Sequence, residues 1–377
     1  MRVLIAFDKF KDALSAPDAC AAAAAALRTW HPDWSLDLCP LTDGGEGFTE
    51  ILTGALGGRV EQVEVCGPRG GAFSAPLGLV EAERLPPAAQ RRLNLSGAGN
   101  LAVIDMASAS GLALLPVAER NPWQASSVGT GQLLAAAAAR KPAAILLGVG
   151  GSATNDIGLG ALTALGFQFL DAFGQTVTSP VPARWDQIVR VEGRASLPPL
   201  FIACDVANPL LGTRGATATF GPQKGLPPTD VLRLDTLAAR LAAVLCDHCA
   251  QPRNLVDVPG AGAAGGISFG LMAAGQARFV PGYDLVSDWL GLTDRIASVD
   301  LVLTGEGRFD ATSLGGKGPG RLAAEARRAG KPAHVFAGTL GVPADKVHHA
   351  ITPADLPLAA ALPRTAELLA AAVAHVL

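Results

Sequence analysis

The chain repeats one local pattern: an apolar run of strand length, a polar glycine-rich turn, then a stretch of helical character. Residues 3–6 lead through Asp8-Lys9-Phe10-Lys11 to a helix expected over 17–28, where Pro17 suits a first helical turn. Residues 35–40 lead through Thr42-Asp43-Gly44-Gly45-Glu46-Gly47 to a helix over 48–56. Residues 143–147 open into Gly148-Val149-Gly150-Gly151-Ser152-Ala153-Thr154-Asn155-Asp156-Ile157-Gly158 and a helix from Leu159. Near the C-terminus, residues 301–303 feed Thr304-Gly305-Glu306-Gly307-Arg308-Phe309-Asp310, then a helix over 319–329 and a strand over 334–337. Strands that alternate with helices pair in parallel, because each crossover needs a dozen or more residues.

Between residues 60 and 105 the texture changes to strands joined by turns (60–65, 72–80 and 101–105), with little helix. At 377 residues the chain exceeds one ordinary core. The expectation is a two-domain α/β protein. A Rossmann-like parallel α/β domain, residues 1–60 plus 285–377, is interrupted by a mixed α/β domain over 61–284.

Hydrophobic residues make up 49% and charged residues 17%, a balance of large buried sheets rather than disorder. The net charge of −3 provides no basic field, so nucleic acid is not an expected partner. No window is long and apolar enough for a membrane helix, and residues 1–9 lack a signal-peptide core. A cytoplasmic location without membrane association is expected. Alanine-rich helices such as the one around residues 135–139 leave a homo-oligomer open. Six scattered cysteines fit reduced thiols, and Cys246-Asp247-His248-Cys249 lacks the second ligand pair of a structural zinc site.

The polar turns carry the chemistry. Ligands in open α/β sheets bind outside the carboxyl ends of the strands, where most of these turns would lie. Backbone N–H groups and a helix N-terminus after Gly148 suit an anion; a tight strand–helix turn explains the same glycines. Asp8, Asp43, Asp156, Asp205 and Asp310 are carboxylates able to face Mg²⁺ or a hydroxyl. Lys9, Lys11, Lys224, Arg308 and Lys317 are cations able to face phosphate. Each has a plainer explanation: Asp43 and Asp156 as helix caps, Asp8 with Lys9 or Lys11 as a surface ion pair, Ser15 as a cap or a ligand contact. No Walker A order or H-R-D loop is present. The dinucleotide-like matches at Gly148 and Gly260 are of a kind that glycine-rich chains produce by chance. Gly266-Ile267-Ser268-Phe269-Gly270 spells a nucleophile elbow without the strand that should feed it.

Taken in order, Asp8-Lys9-Phe10-Lys11, Asp43-Gly44-Gly45-Glu46-Gly47, Gly150 to Asp156, Ala203-Cys204-Asp205-Val206-Ala207-Asn208-Pro209-Leu210, Phe220 to Gly225, Pro259 to Gly266 and Thr304 to Arg308 resemble the type I glycerate kinase family. The match runs from residue 3 to about 340 with every block in register. The resemblance implies ATP- and Mg²⁺-dependent phosphorylation of D-glycerate, usually at the 2-hydroxyl, in a cleft between two α/β domains. It implies Asp205, Asp43, Lys11, Lys224 and Arg308 as catalytic residues, and Asp156, Asp205 and Asp310 as metal ligands. Asp8, Lys9, Ser15, Gly44, Gly45, Gly150, Gly151, Ser152, Thr154, Asn155, Gly262, Glu306 and Lys317 are implied in substrate or phosphate binding. Whether Asp205 or Asp43 takes the hydroxyl proton stays open. Phe7 and Lys9 stand where many relatives have Pro and Ser, and Ala311-Thr312-Ser313 lacks the amide common after the acid at 310. Rival readings are a kinase giving 3-phosphoglycerate or using another small hydroxy acid, and a non-catalytic anion-binding protein.

Overall fold

The computed structural model describes residues 1–95, 97–275, 277–314 and 318–377. The chain divides into two compact units, Met1–Asp43 with Tyr283–Leu377, and Gly44–Gly282.

In the first unit, β1 (Arg2–Phe7) and β2 (Ser35–Leu38) join the later strands β11 (Leu301–Phe309), β12 (Ala333–Leu340) and β13 (His348–Ala350). The order is β13-β12-β11-β1-β2, and every pair is parallel. Val3, Ile5 and Phe7 point into one core with Ala19, Ala23 and Leu27 of the helix Ala16–Trp30 and Leu369 and Val373 of the helix Thr365–Val376. Small alanines on the first helix let the second approach closely, and the i, i+4 spacing of Ala19, Ala23 and Leu27 keeps them on one face.

β11 is longer than expected. Thr304 to Arg308, read as a glycine turn, continues the strand and pairs as far as Phe309 with Leu340. Glycine is required at 305, where a Cβ would lie 1.7 Å from the Phe336 carbonyl oxygen.

In the second unit the remaining strands are β3 (Arg59–Cys66), β4 (Ala72–Glu81), β5 (Asn100–Asp105), β6 (Ala144–Gly148), β7 (Gln168–Leu170), β8 (Arg190–Glu192), β9 (Leu200–Ala203) and β10 (Ala277–Val280). Six form one sheet in the order β10-β9-β6-β5-β4-β3. The first four are parallel, and β4 and β3 close the edge antiparallel, which makes this the mixed sheet. β6 is buried along its whole length, as a central parallel strand must be. The helix Phe48–Ala55, expected in the first domain, packs against β3, β4 and β5, so the units divide at Asp43/Gly44 rather than at residue 60.

Cys246 and Cys249 lie on the helix Val231–Cys249, which runs past the expected end at 245. All six cysteines are free thiols. Ser268 is fully buried near the start of the helix Ile267–Ala273, with no strand leading into it, so the elbow is one of letters only. Among the described residues no helix is long and apolar enough to cross a membrane.

Candidate active site

In the second unit the loop after β6 is built against the turn at residues 44–46. Gly150 N–H donates to the Gly44 carbonyl at 2.9 Å, and a Cβ at Gly150 would lie 2.7 Å from Gly45 N. Only glycine permits that approach. Gly44, Gly45, Gly150 and Gly151 therefore do come together. Gly151 is exposed, and Gly44 lies near the Ala203 carbonyl at the end of β9, the strand that leads to Asp205.

Asp156 corrects the expectation of a metal ligand. It is fully buried, and its carboxylate accepts from Ser127 N (2.7 Å), Ser127 Oγ (2.8 Å), Gly158 N (3.2 Å) and Gly160 N (3.2 Å). Burial pushes its pKa above the usual carboxylate value, opposed by these bonds. The helix Leu159–Ala164 has six residues, and its positive end already holds this carboxylate. No room is left there for a substrate anion.

Lys224 also departs from expectation. The sequence suggested a cation aimed at phosphate; the side chain is 2% exposed and turned onto the loop. Its Nζ donates to Ser152 Oγ at 2.8 Å and to the Thr154 carbonyl at 2.6 Å. Burial lowers its pKa to about 7, against the pull of Asp156. Asn155 Nδ2 donates to Thr217 Oγ1 at 3.3 Å. Thr154 Oγ1 and Asn155 Oδ1 are buried without a hydrogen-bond partner among the described residues.

Asp205 is exposed after β9, so a desolvation cost does not mark it. Gly262 packs on the chain, since a Cβ there would lie 2.1 Å from the Pro209 carbonyl oxygen.

In the first unit a second cluster sits at the carboxyl ends of β1 and β11. Lys9 Nζ reaches Asp43 Oδ1 at 2.7 Å and Asp8 Oδ1 at 4.0 Å, and Lys9 N–H donates to Asp8 Oδ1 at 2.7 Å. Asp8 is buried, and burial raises its pKa to about 7. Lys9 pulls it down, and the negative charges of Asp43 and Glu306 push it up. Lys11 is exposed on the loop that follows β1. Arg308 is exposed, with Nε 3.4 Å from Asp310 Oδ2. Ser15 is the N-cap of the helix Ala16–Trp30, accepting from Asp18 N at 3.2 Å, as the plainer of its two readings expects. Lys317 lies outside the described residues.

Among the described residues no three acidic, histidine or cysteine side chains gather as a metal site. Mg²⁺ with a nucleotide takes one or two protein carboxylates and completes its shell with phosphate oxygens and water, so an exposed carboxylate such as Asp205 fits it. Sequence reasoning missed Ser127 and Thr217, the partners of Asp156 and Asn155. No local signal pairs residues 29 and 62 positions apart.

Each unit is an α/β unit with acids and polar or glycine-rich turns after its parallel strands. A family model described as the glycerate kinase family matches residues 3–377, and the chain belongs to that family. It is 38% identical to a glycerate kinase of Haemophilus influenzae over 90% of this chain and 86% of that one. It is 37% identical to glycerate 2-kinase of Escherichia coli over 92% and 88%. A crystal structure of a Salmonella typhimurium LT2 protein, provisionally named glycerate kinase 2, superposes with a TM-score of 0.74 at 35% identity, covering 100% of this chain and 97% of that one. The chain is thus an enzyme, a kinase of the glycerate kinase family.

Proposed function

We propose that the chain transfers the γ-phosphoryl group of ATP to the 2-hydroxyl of D-glycerate. Family membership over residues 3–377 supports the reaction class, and the 2-position follows the name of the E. coli relative. The observation that carries the residue assignment is the Asp8–Lys9–Asp43 cluster.

A carboxylate whose pKa is raised to about 7 is, once ionised, a stronger base than an ordinary one and is matched to taking a proton from an alcohol near neutrality. In this reading Asp8, packed beside Lys9 and Asp43, takes the hydroxyl proton. Asp43, held by Lys9, orients the hydroxyl, and Lys11 and Arg308 face the anionic groups from exposed positions. In the second unit the exposed Gly151 backbone receives the substrate carboxylate. Asp205 would hold Mg²⁺ brought with ATP, which supplies charge neutralisation on the phosphates. The cytoplasm is the proposed location.

The test is a coupled ADP-release assay with ATP, Mg²⁺ and D-glycerate, followed by phosphorus NMR of the product. Release that depends on D-glycerate, with 2-phosphoglycerate formed, supports the reading. 3-Phosphoglycerate would correct the position, and no release from folded protein would overturn the substrate.

A further inference from the structure

One segment, Ala216 to Lys224, grips the loop after β6 at three points. Thr217 Oγ1 accepts from Asn155 Nδ2, and Lys224 Nζ donates to Ser152 Oγ and to the Thr154 carbonyl. The helix Ala216–Phe220 and the turn Pro222–Lys224 that follows it are themselves pinned: a Cβ at Gly225, whose φ is +92°, would lie 2.3 Å from the Arg120 carbonyl oxygen. On its other side the loop is fixed by backbone bonds, Leu112 N–H to the Gly151 carbonyl at 2.7 Å and Ala153 N–H to the Ser110 carbonyl at 2.9 Å. Between these anchors stands the exposed backbone of Gly151. A buried ammonium whose bonds go to a hydroxyl and a carbonyl, with only 2% exposure, is not placed to meet a phosphate.

We propose that Lys224 is a positioning residue, whose ammonium fastens Ser152 and Thr154 and so sets the exposed Gly151 backbone that binds the glycerate carboxylate. The proposal rests on the reading that this loop receives the substrate anion. Lys224 has been desolvated to hold backbone in place, as a second layer of contacts holds metal ligands. Its proton is weakly held for the same reason, so the clamp is strongest where the ammonium persists. Asp156 is the charged group that acts on it, and its other contacts on the loop are neutral.

The test compares wild type, Lys224→Met, Ser152→Ala and the double variant. Methionine keeps the volume and removes the donors; Ser152→Ala leaves the lysine in place and covers the case in which Lys224→Met does not fold. The expected result is a rise in KM for D-glycerate of about tenfold or more in each single variant, with KM for ATP unchanged and no further rise in the double variant. Effects that add in the double variant, or an unchanged KM for D-glycerate, would overturn the proposal. Amide hydrogen exchange over residues 150–155 is read on the same proteins. Faster exchange there in the variants supports the clamp, and unchanged exchange overturns it whether or not the wild type turns over glycerate. A wild type without glycerate turnover defeats the functional reading separately.

Discussion

Lys9 Nζ lies 2.7 Å from Asp43 Oδ1, so the residue two beyond β1 is tied to one that follows β2, with the buried Asp8 beside them. The pair spans 34 positions in the chain and joins two loops that adjacent parallel strands deliver to one edge. It gives Asp8 a partial counter-charge, too weak to offset burial.

Asp8 should therefore make stability depend on pH. Its folded pKa, about 7, stands above the ordinary value of 3.8, so between those values the folded state holds a proton that the unfolded chain has lost. The stability Asp8 contributes is full below about pH 4 and is lost as pH rises towards 7. Asp8→Asn, which mimics the neutral acid, should flatten that decline by a few kcal/mol, on the scale of about 1.4 kcal/mol per pKa unit. Urea denaturation at several pH values reads this. The same variant should lose about 10²–10⁴-fold in kcat if Asp8 takes the substrate proton.

Ser15→Ala distinguishes a cap from a substrate contact. Loss of the bond to Asp18 N should destabilise by about 1 kcal/mol, seen as a lower Tm, with kcat/KM for D-glycerate unchanged. A selective rise in KM would restore the binding role.

Replacing Asp156 with Ala removes the acceptor of four hydrogen bonds in a fully buried site. Stability should fall by about 2–4 kcal/mol, because the donors of Ser127, Gly158 and Gly160 are left desolvated. The Mg²⁺ concentration for half-maximal activity should not move in whatever folded fraction remains. A shifted Mg²⁺ requirement would make Asp156 a ligand after all.

Asp205→Ala should behave in the opposite way. The side chain is exposed, so stability should stay within about 0.5 kcal/mol of wild type. The Mg²⁺ requirement should rise and kcat should fall by about a hundredfold, the size of effect that removal of one charge-stabilising group produces. A Mg²⁺ titration of the coupled assay decides it, and activity should disappear in excess EDTA.

The alternation of apolar runs, glycine turns and helical stretches was enough to place most elements, since period and punctuation are local properties. β1, β3, β4 and the helix Ala16–Trp30 fall within two residues of their expected bounds. The ordered blocks were likewise enough to mark the family, because residue type and spacing are written along the chain. The extension of β11 through Glu306 and Arg308 was not legible: its two glycines look like a turn until β12 supplies the pairing that makes them strand. The functions of Ser15, Asp156 and Lys224 were legible only as pairs of alternatives, ligand or cap, aimed cation or buried donor. The choice depends on burial and on partners far away in sequence, Ser127 for Asp156, and Ser152 and Thr154 for Lys224. Outside β11, the sequence by itself determined which chemical groups stand at the ends of which strands. Only the tertiary structure decided which of them face water and which are spent on holding the loops, because desolvation and hydrogen-bond satisfaction are properties of neighbours that the fold brings together.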